Sequence, residues 1–379
     1  MTITSPIQLS EIKNSKVLIR VGYDIPNNDD LSRIEDSVPT IKQLLAQNNK
    51  LILVTKWGKI KTPEDRINFT AKNLLNLVKQ VFEANQITNN VVFVDQFKQF
   101  TNNDLNNQKT LQENGEIMLY ENCHFNDSEK SEDSETRLIL AKQYAENIDY
   151  YVDECFISSH RNEATNTEIK TLVPFSYGIG YLKETTSLDK LRLNPKMPYI
   201  AIMGGAKLET KLPLINKMLP ICDKILVGGL LCFTFLKAGA NLGLSIVEIH
   251  DSFVQEEYLE TATEILRNNS NKIILPIDLV YEFENGKQFG RDIGDQTILL
   301  YKEILKDSKT VFWNGPMGFF ERKPFDQGTH QIAEFLGDLT TSYRVLGGGD
   351  TNTALGEDLL AKFDFVSMAG GASLEYLSK

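Results

Sequence analysis

Short apolar runs alternate with stretches of helical periodicity from Lys16 almost to the carboxyl end, and that alternation admits few folds. In the first half, residues 17–21, 51–54, 91–94, 117–120 and 149–155 read as strands, and residues 39–45, 71–83 and 135–144 as helices. Ser37 and Pro39 supply start signals for the first of those helices. Strand after helix after strand requires parallel pairing with helices on both faces of the sheet. A second set follows a breaker-rich stretch over 183–198, in which a connecting helix over 183–193 is expected. Its strands are read at 199–203, 224–227, 272–277, 310–313, 343–346 and 363–367, and its clearest helices at 254–267 and 297–305. At 379 residues, two doubly wound domains are expected. Their bounds are placed at 1–180 and 199–366, with a linker over 181–198 and a final segment over 367–379.

In such sheets ligands bind beyond the carboxyl ends of the strands. The second half places glycine turns at those ends: Gly204-Gly205, Gly228-Gly229, Asn314-Gly315-Pro316, Gly347-Gly348-Gly349-Asp350 and Gly370-Gly371. The first leads through Ala206, Lys207, Leu208, Glu209, Thr210 and Lys211 into an amphipathic pattern over 212–219. It is neither a Walker loop nor a dinucleotide fingerprint. Paired glycines before a helix let backbone N–H groups approach an anion, and lysines four apart share one helical face. Several such turns at one rim point to a phosphate or nucleotide site. Asp350 has two readings, a magnesium or phosphate-network residue and a helix N-cap.

The first half carries basic residues at or after its strand ends: Arg20, Arg33, Lys56, Lys59, His124, His160 and Arg161. A local patch of that kind suits a phosphate plus a carboxylate. The formal net charge of -11 argues against broad binding to nucleic acid or a membrane surface, so any basic site must be local. Cys123, Cys155, Cys222 and Cys232 form no CxxC pair, which fits reduced thiols. The amino terminus lacks a signal pattern and no run spans a bilayer, so a cytoplasmic protein is expected.

Taken together, the Gly204 to Lys211 stretch, Trp313-Asn314-Gly315-Pro316-Met317-Gly318-Phe319-Phe320-Glu321, Gly347-Gly348-Gly349-Asp350-Thr351 and Gly370-Gly371-Ala372-Ser373-Leu374-Glu375 resemble phosphoglycerate kinase. The first half resembles the same family through Arg33-Ile34, Pro39-Thr40-Ile41, Glu121-Asn122 and His160-Arg161. The resemblance implies two Rossmann-like doubly wound parallel-sheet α/β domains joined by a hinge, with the active site in the interdomain cleft. It further implies a monomer that binds ATP or ADP with Mg2+ on the second domain and 3-phosphoglycerate on the first. By the same resemblance, nucleotide contacts fall to Gly205, Lys207, Lys211, Gly229, Gly290, Asn314, Pro316, Glu321, Gly348, Gly349, Asp350 and Thr351, with Asp350 at the metal. Substrate contacts fall to Asp24, Arg33, Lys56, Lys59, His124 and Arg161. Catalysis is assigned to Arg33, Lys211, Gly370 and Gly371, the glycines offering helix-start N–H groups to the transferred charge.

The departures from the family pattern concentrate on the triose side. Gly22 and Asp24 stand where the family has an aspartate and an asparagine, in Arg20-Val21-Gly22-Tyr23-Asp24-Ile25-Pro26. Lys56 and Lys59 replace a histidine and an arginine, so charge remains but the guanidinium fork is lost. His124 replaces an arginine with a group expected to titrate near neutrality. Leu230 stands for a third glycine and Met368-Ala369 for a Thr-Gly pair, and the family's usual final segment beyond Lys379 is not seen. The expected function is phosphoglycerate kinase. The alternatives are a same-fold kinase for another small carboxylate or acyl phosphate, and a nucleotide-binding homologue without turnover.

Overall fold

The computed structural model describes residues 5–25, 30–97 and 115–378. Pro26, the last residue of the first strand motif, lies outside them. The chain divides into two compact units, Met1–Thr185 and Thr186–Lys379, with the division inside the helix Ile179–Arg192. That helix begins before residue 183, where the sequence pattern starts it.

The first unit is built on β1 (Lys16–Val21), β2 (Lys50–Thr55), β3 (Val91–Val94), β4 (Ile117–Tyr120), β5 (Tyr150–Asp153) and β6 (Phe175–Tyr177). They pair in the order β3-β4-β2-β1-β5-β6, every pair parallel. Side chains alternate across a strand, and the two faces have separate cores. Val17, Ile19, Leu51 and Leu53 pack with Val38, Ile41 and Leu44 of the helix Val38–Ala46. Leu18, Ile52 and Met118 pack on the other side with Leu140, Ala141 and Tyr144 of the helix Ser134–Ala145. Full burial of an aliphatic side chain contributes about 1.5–3 kcal/mol, so both layers hold the strands in register.

This alternation overturns one expectation. Arg20 follows Leu18 by two positions and therefore points into the same face, where it is buried, and so it does not belong to a basic rim.

The second unit contains β7 (Tyr199–Met203), β8 (Lys224–Val227), β9 (Ile273–Ile274), β10 (Leu279–Glu284), β11 (Lys287–Ile293), β12 (Thr310–Asn314), β13 (Tyr343–Gly347) and β14 (Phe365–Ser367). Six of these form a parallel sheet in the order β14-β13-β12-β7-β8-β9. The run over 272–277 yields only the two residues of β9, and the helix expected at 254–267 is Leu259–Asn269 after a 3-10 turn at Glu256–Tyr258. The antiparallel pair β10 and β11 forms a separate sheet that the strand reading did not anticipate. Chain order reverses between β7 and β12, and the crevice at such a reversal is where doubly wound sheets take ligands.

Candidate active site

At the reversal in the second unit, three glycine turns interlock through their backbones. Gly204 N–H donates to Asn314 O at 2.9 Å, Gly205 N–H to Pro316 O at 2.8 Å, and Gly229 N–H to Met317 O at 2.7 Å. A Cβ on Gly204 would run into the Pro316 carbonyl, and one on Gly229 into Gly205 N. These glycines therefore serve the approach of one backbone to another, which fixes the rim before any ligand arrives. A Cβ on Gly349, Gly370 or Gly371 would meet only open space.

A cavity of about 340 Å³ opens beside these turns. Gly205, Gly229, Gly290, Pro316, Glu321 and Asp350 all line it, so half of the expected nucleotide residues share one chamber. Phe233, Leu279 and Met317 give it apolar walls suited to a flat ring, and Asp350, Glu321, Arg291 and Asp292 supply charged groups to its lining. Lys211 lies on the helix Leu208–Met218 and is buried. Burial pulls its ammonium down to about 8, with the charge of Lys207 acting in the same direction and that of Asp350 opposing it. Lys207 is exposed at the N-cap position, so the helix begins earlier than the apolar pattern at 212 indicates, and the two lysines do not share a helical face.

Asn314 and Thr351 brace the rim. Asn314 Nδ2 donates to Gly347 O at 2.7 Å, and Thr351 Oγ1 accepts from Gly315 N–H at 2.7 Å. Gly348 is the N-cap of the helix Gly349–Leu360, which puts Asp350 and Thr351 in its first turn. The N-cap reading of Asp350 is therefore not met, since Gly348 holds that position and Asp350 stands inside the first turn, where it lines the cavity. Gly370 takes φ 43°, where a side chain would be strained, and precedes the helix Gly371–Leu377. Tyr376 of that helix donates from its hydroxyl to Asp189 Oδ1 at 2.9 Å, which ties the segment to the second half of the helix Ile179–Arg192.

The basic residues of the first unit form two groups. In one, Lys56 Nζ pairs with Asp24 Oδ2, Gly58 N–H donates to Asp24 Oδ1 at 2.8 Å, and Arg33 donates to the Asp24 carbonyl with its Nη1 4.0 Å from Oδ2. Burial would raise the Asp24 carboxyl, but Lys56, the Gly58 amide and Arg33 hold it below its ordinary range. Trp57 fixes this loop: its Nε1–H donates to Ile25 O at 3.0 Å, and its ring meets Phe69 edge-on. Lys59 stands exposed beyond it.

Glu163 organises the second group. Its carboxylate accepts from Arg20 Nη2 at 2.8 Å, lies 3.0 Å from His124 Nε2, and stands 4.0 Å from Arg161 Nη1. Burial pushes the His124 ring below its ordinary value despite the hydrogen bond and charge of Glu163. The expected titration of His124 near neutrality is thus displaced downward.

The whole chain can now be set beside known proteins. A family model described as phosphoglycerate kinase matches residues 7–379. The chain is 36% identical to a phosphoglycerate kinase of Fusobacterium nucleatum over 97% of its own length and 94% of the relative's. It is 35% identical to one of Listeria monocytogenes at the same coverage. The chain belongs to the phosphoglycerate kinase family.

A solved phosphoglycerate kinase from Coxiella burnetii superposes with a TM-score of 0.79 at 27% identity, covering 97% of this chain and 94% of that one. One from Pyrococcus horikoshii reaches 0.78 at 24% identity and shows the shared fold. The reaction of the phosphoglycerate kinase family is the reversible transfer of a phosphoryl group between 1,3-bisphosphoglycerate and ADP, with a carboxyl group as acceptor in the reverse direction. No helix among the described residues is long and apolar enough to cross a membrane.

Three residues near these sites escaped the sequence reading. Arg291 and Asp292 reach the nucleotide-side cavity on β11. The overlooked signal was Asn285-Gly286, a pair suited to a tight hairpin, whose φ angles are 55° and 75°. Glu163 carried no local signal, because its importance depends on strand neighbours far away in sequence.

Proposed function

We propose that this chain catalyses the phosphoglycerate kinase reaction with the nucleotide in the cavity beside Gly205, Gly229 and Asp350 and with the triose at the basic groups of Arg33, Lys56 and Arg161. The joint lining of one cavity by six residues drawn from five separate segments supports this most strongly. The apolar wall suits the base, Glu321 the ribose, and Lys207 and Lys211 the phosphates. Phosphoryl transfer asks for alignment and charge neutralisation more than for covalent help. Lys211, Arg33 and the N–H groups at Gly370 and Gly371 supply that neutralisation in this scheme. In-line transfer requires donor and acceptor to meet, so a ligand-driven closure of the two units about a hinge, in a monomer, belongs to the proposal.

Magnesium fits the donor set. Asp350 offers one hard oxygen ligand in the cavity, and no group of three or more metal-binding side chains occurs among the described residues. Such a site relies on nucleotide phosphates and water for its other ligands. When bound, the ion would neutralise phosphate charge. Calorimetric titration with ADP, with and without magnesium, tests the assignment in the wild type and in Asp350→Asn. Magnesium should strengthen ADP binding in the wild type and do so much less in the variant. An equal gain in both would remove Asp350 from the metal role.

A further inference from the structure

The Asp24 carboxylate occupies a place built for an anion. Both of its oxygens are engaged, Oδ2 by Lys56 and Oδ1 by the Gly58 amide, and Arg33 Nη1 stands 4.0 Å from Oδ2. The Lys56 side chain is 10% exposed and Arg33 19%, so their charges are largely withdrawn from water and need a counter-ion nearby. Two cations and one carboxylate leave a single net positive charge in the group. An acceptor carrying a phosphate and a carboxylate brings more negative charge than that.

We propose that Asp24 is a specificity-determining residue of the acceptor site, an internal anion that holds Lys56 and Arg33 until an incoming acceptor displaces its carboxylate. Binding is an exchange of one anion for another. Its free energy is the difference between two ion pairs, not the full worth of a new one. The wild-type side chain stabilises the empty site at the expense of acceptor affinity. Asparagine at this position keeps an oxygen for the Gly58 amide and removes the competing charge. The inference rests on the proposed triose site and makes Asp24 a competitor there, where the sequence resemblance makes it a contact.

The test compares wild type, Asp24→Asn and Asp24→Ala in calorimetric titrations with 3-phosphoglycerate and with inorganic phosphate, alongside steady-state kinetics. In Asp24→Asn the acceptor Kd and KM should fall about fivefold, as expected for removing a competing charge from a partly exposed ion-pair site. The nucleotide KM should not change. Asp24→Ala, which also frees the Gly58 amide, should follow in direction. Unchanged or weaker acceptor binding in folded Asp24→Asn, or in Asp24→Ala if the first variant does not fold, overturns the proposal. Inorganic phosphate requires only the cations, so tighter phosphate binding by the variants supports the exchange even if 3-phosphoglycerate is not turned over. Absence of turnover in all three proteins would count against the kinase assignment alone.

Discussion

Glu163 Oε2 accepts a 2.8 Å hydrogen bond from Arg20 Nη2, and neither side chain is more than 2% exposed. A buried guanidinium without its carboxylate is costly. Replacing Glu163 by alanine should therefore lower unfolding free energy by about 3–5 kcal/mol in urea titrations. Burial alone would raise the Glu163 carboxyl, but the His124 hydrogen bond and the Arg20 charge bring it down to about 2. A depressed carboxylate stabilises above its unfolded value and loses that contribution as pH falls through the folded one. The wild type should accordingly lose this increment between the ordinary glutamate range and pH 2, and Glu163→Ala should show a shallower loss there. An acid limb of equal steepness in both proteins would contradict the network.

Lys211 should make nucleotide affinity depend on alkaline pH. Its ammonium is charged below about 8 and loses its proton above that point in the free protein. ADP binding should weaken as pH rises through 8, and Lys211→Arg should flatten the dependence because a guanidinium stays charged. Calorimetry across pH 6.5 to 9.5 reads the difference. Parallel profiles in the two proteins would remove Lys211 from phosphate contact.

The two classes of glycine should separate in their effects. Gly204→Ala forces a Cβ against the Pro316 carbonyl, so stability should fall by about 1–3 kcal/mol and ADP affinity with it. Gly371→Ala meets open space, and stability should stay within about 0.5 kcal/mol. Its kcat should nevertheless fall roughly tenfold or more if the transferred group passes over that helix start. Thermal unfolding paired with steady-state kinetics distinguishes the two cases, and loss of stability in Gly371→Ala would contradict the contrast.

Asp292 should produce the opposite acid–base signature from Glu163. Burial raises its carboxyl to about 7, against the Gly328 and Ile293 amides that favour the charge. A raised carboxyl gives stability that is complete below its unfolded value and lost as pH rises through the folded one. Asp292→Asn cannot ionise and keeps one of the two acceptor oxygens that serve the Ile293 and Gly328 amides, so its overall stability falls while its pH dependence flattens. Its Tm should vary less between pH 5 and 8 than that of the wild type, measured by calorimetric scans.

The sheets were legible because parallel strands buried on both faces are nearly continuous apolar runs, and Val17 to Val21, Arg20 apart, and Tyr199 to Met203 announce themselves that way. Half-exposed β10 alternates aromatic and charged residues over Tyr281 to Glu284, β11 mixes polar and apolar ones, and only Asn285-Gly286 marks the pair. The position of Arg20 was knowable from strand period alone, since it shares a face with Leu18, but its partner Glu163 lies 143 residues away and becomes adjacent only through sheet pairing. Glycine runs pointed to the rim correctly, yet their reasons differ. Gly204 and Gly229 make room for backbone, whereas Gly349 and Gly371 leave room beyond it.

The most direct test is a coupled assay containing ATP, magnesium and 3-phosphoglycerate. Turnover that saturates with 3-phosphoglycerate is expected in the wild type, with a fall of about a hundredfold or more in kcat for Lys211→Met. ADP binding without any 3-phosphoglycerate turnover would contradict the proposed function.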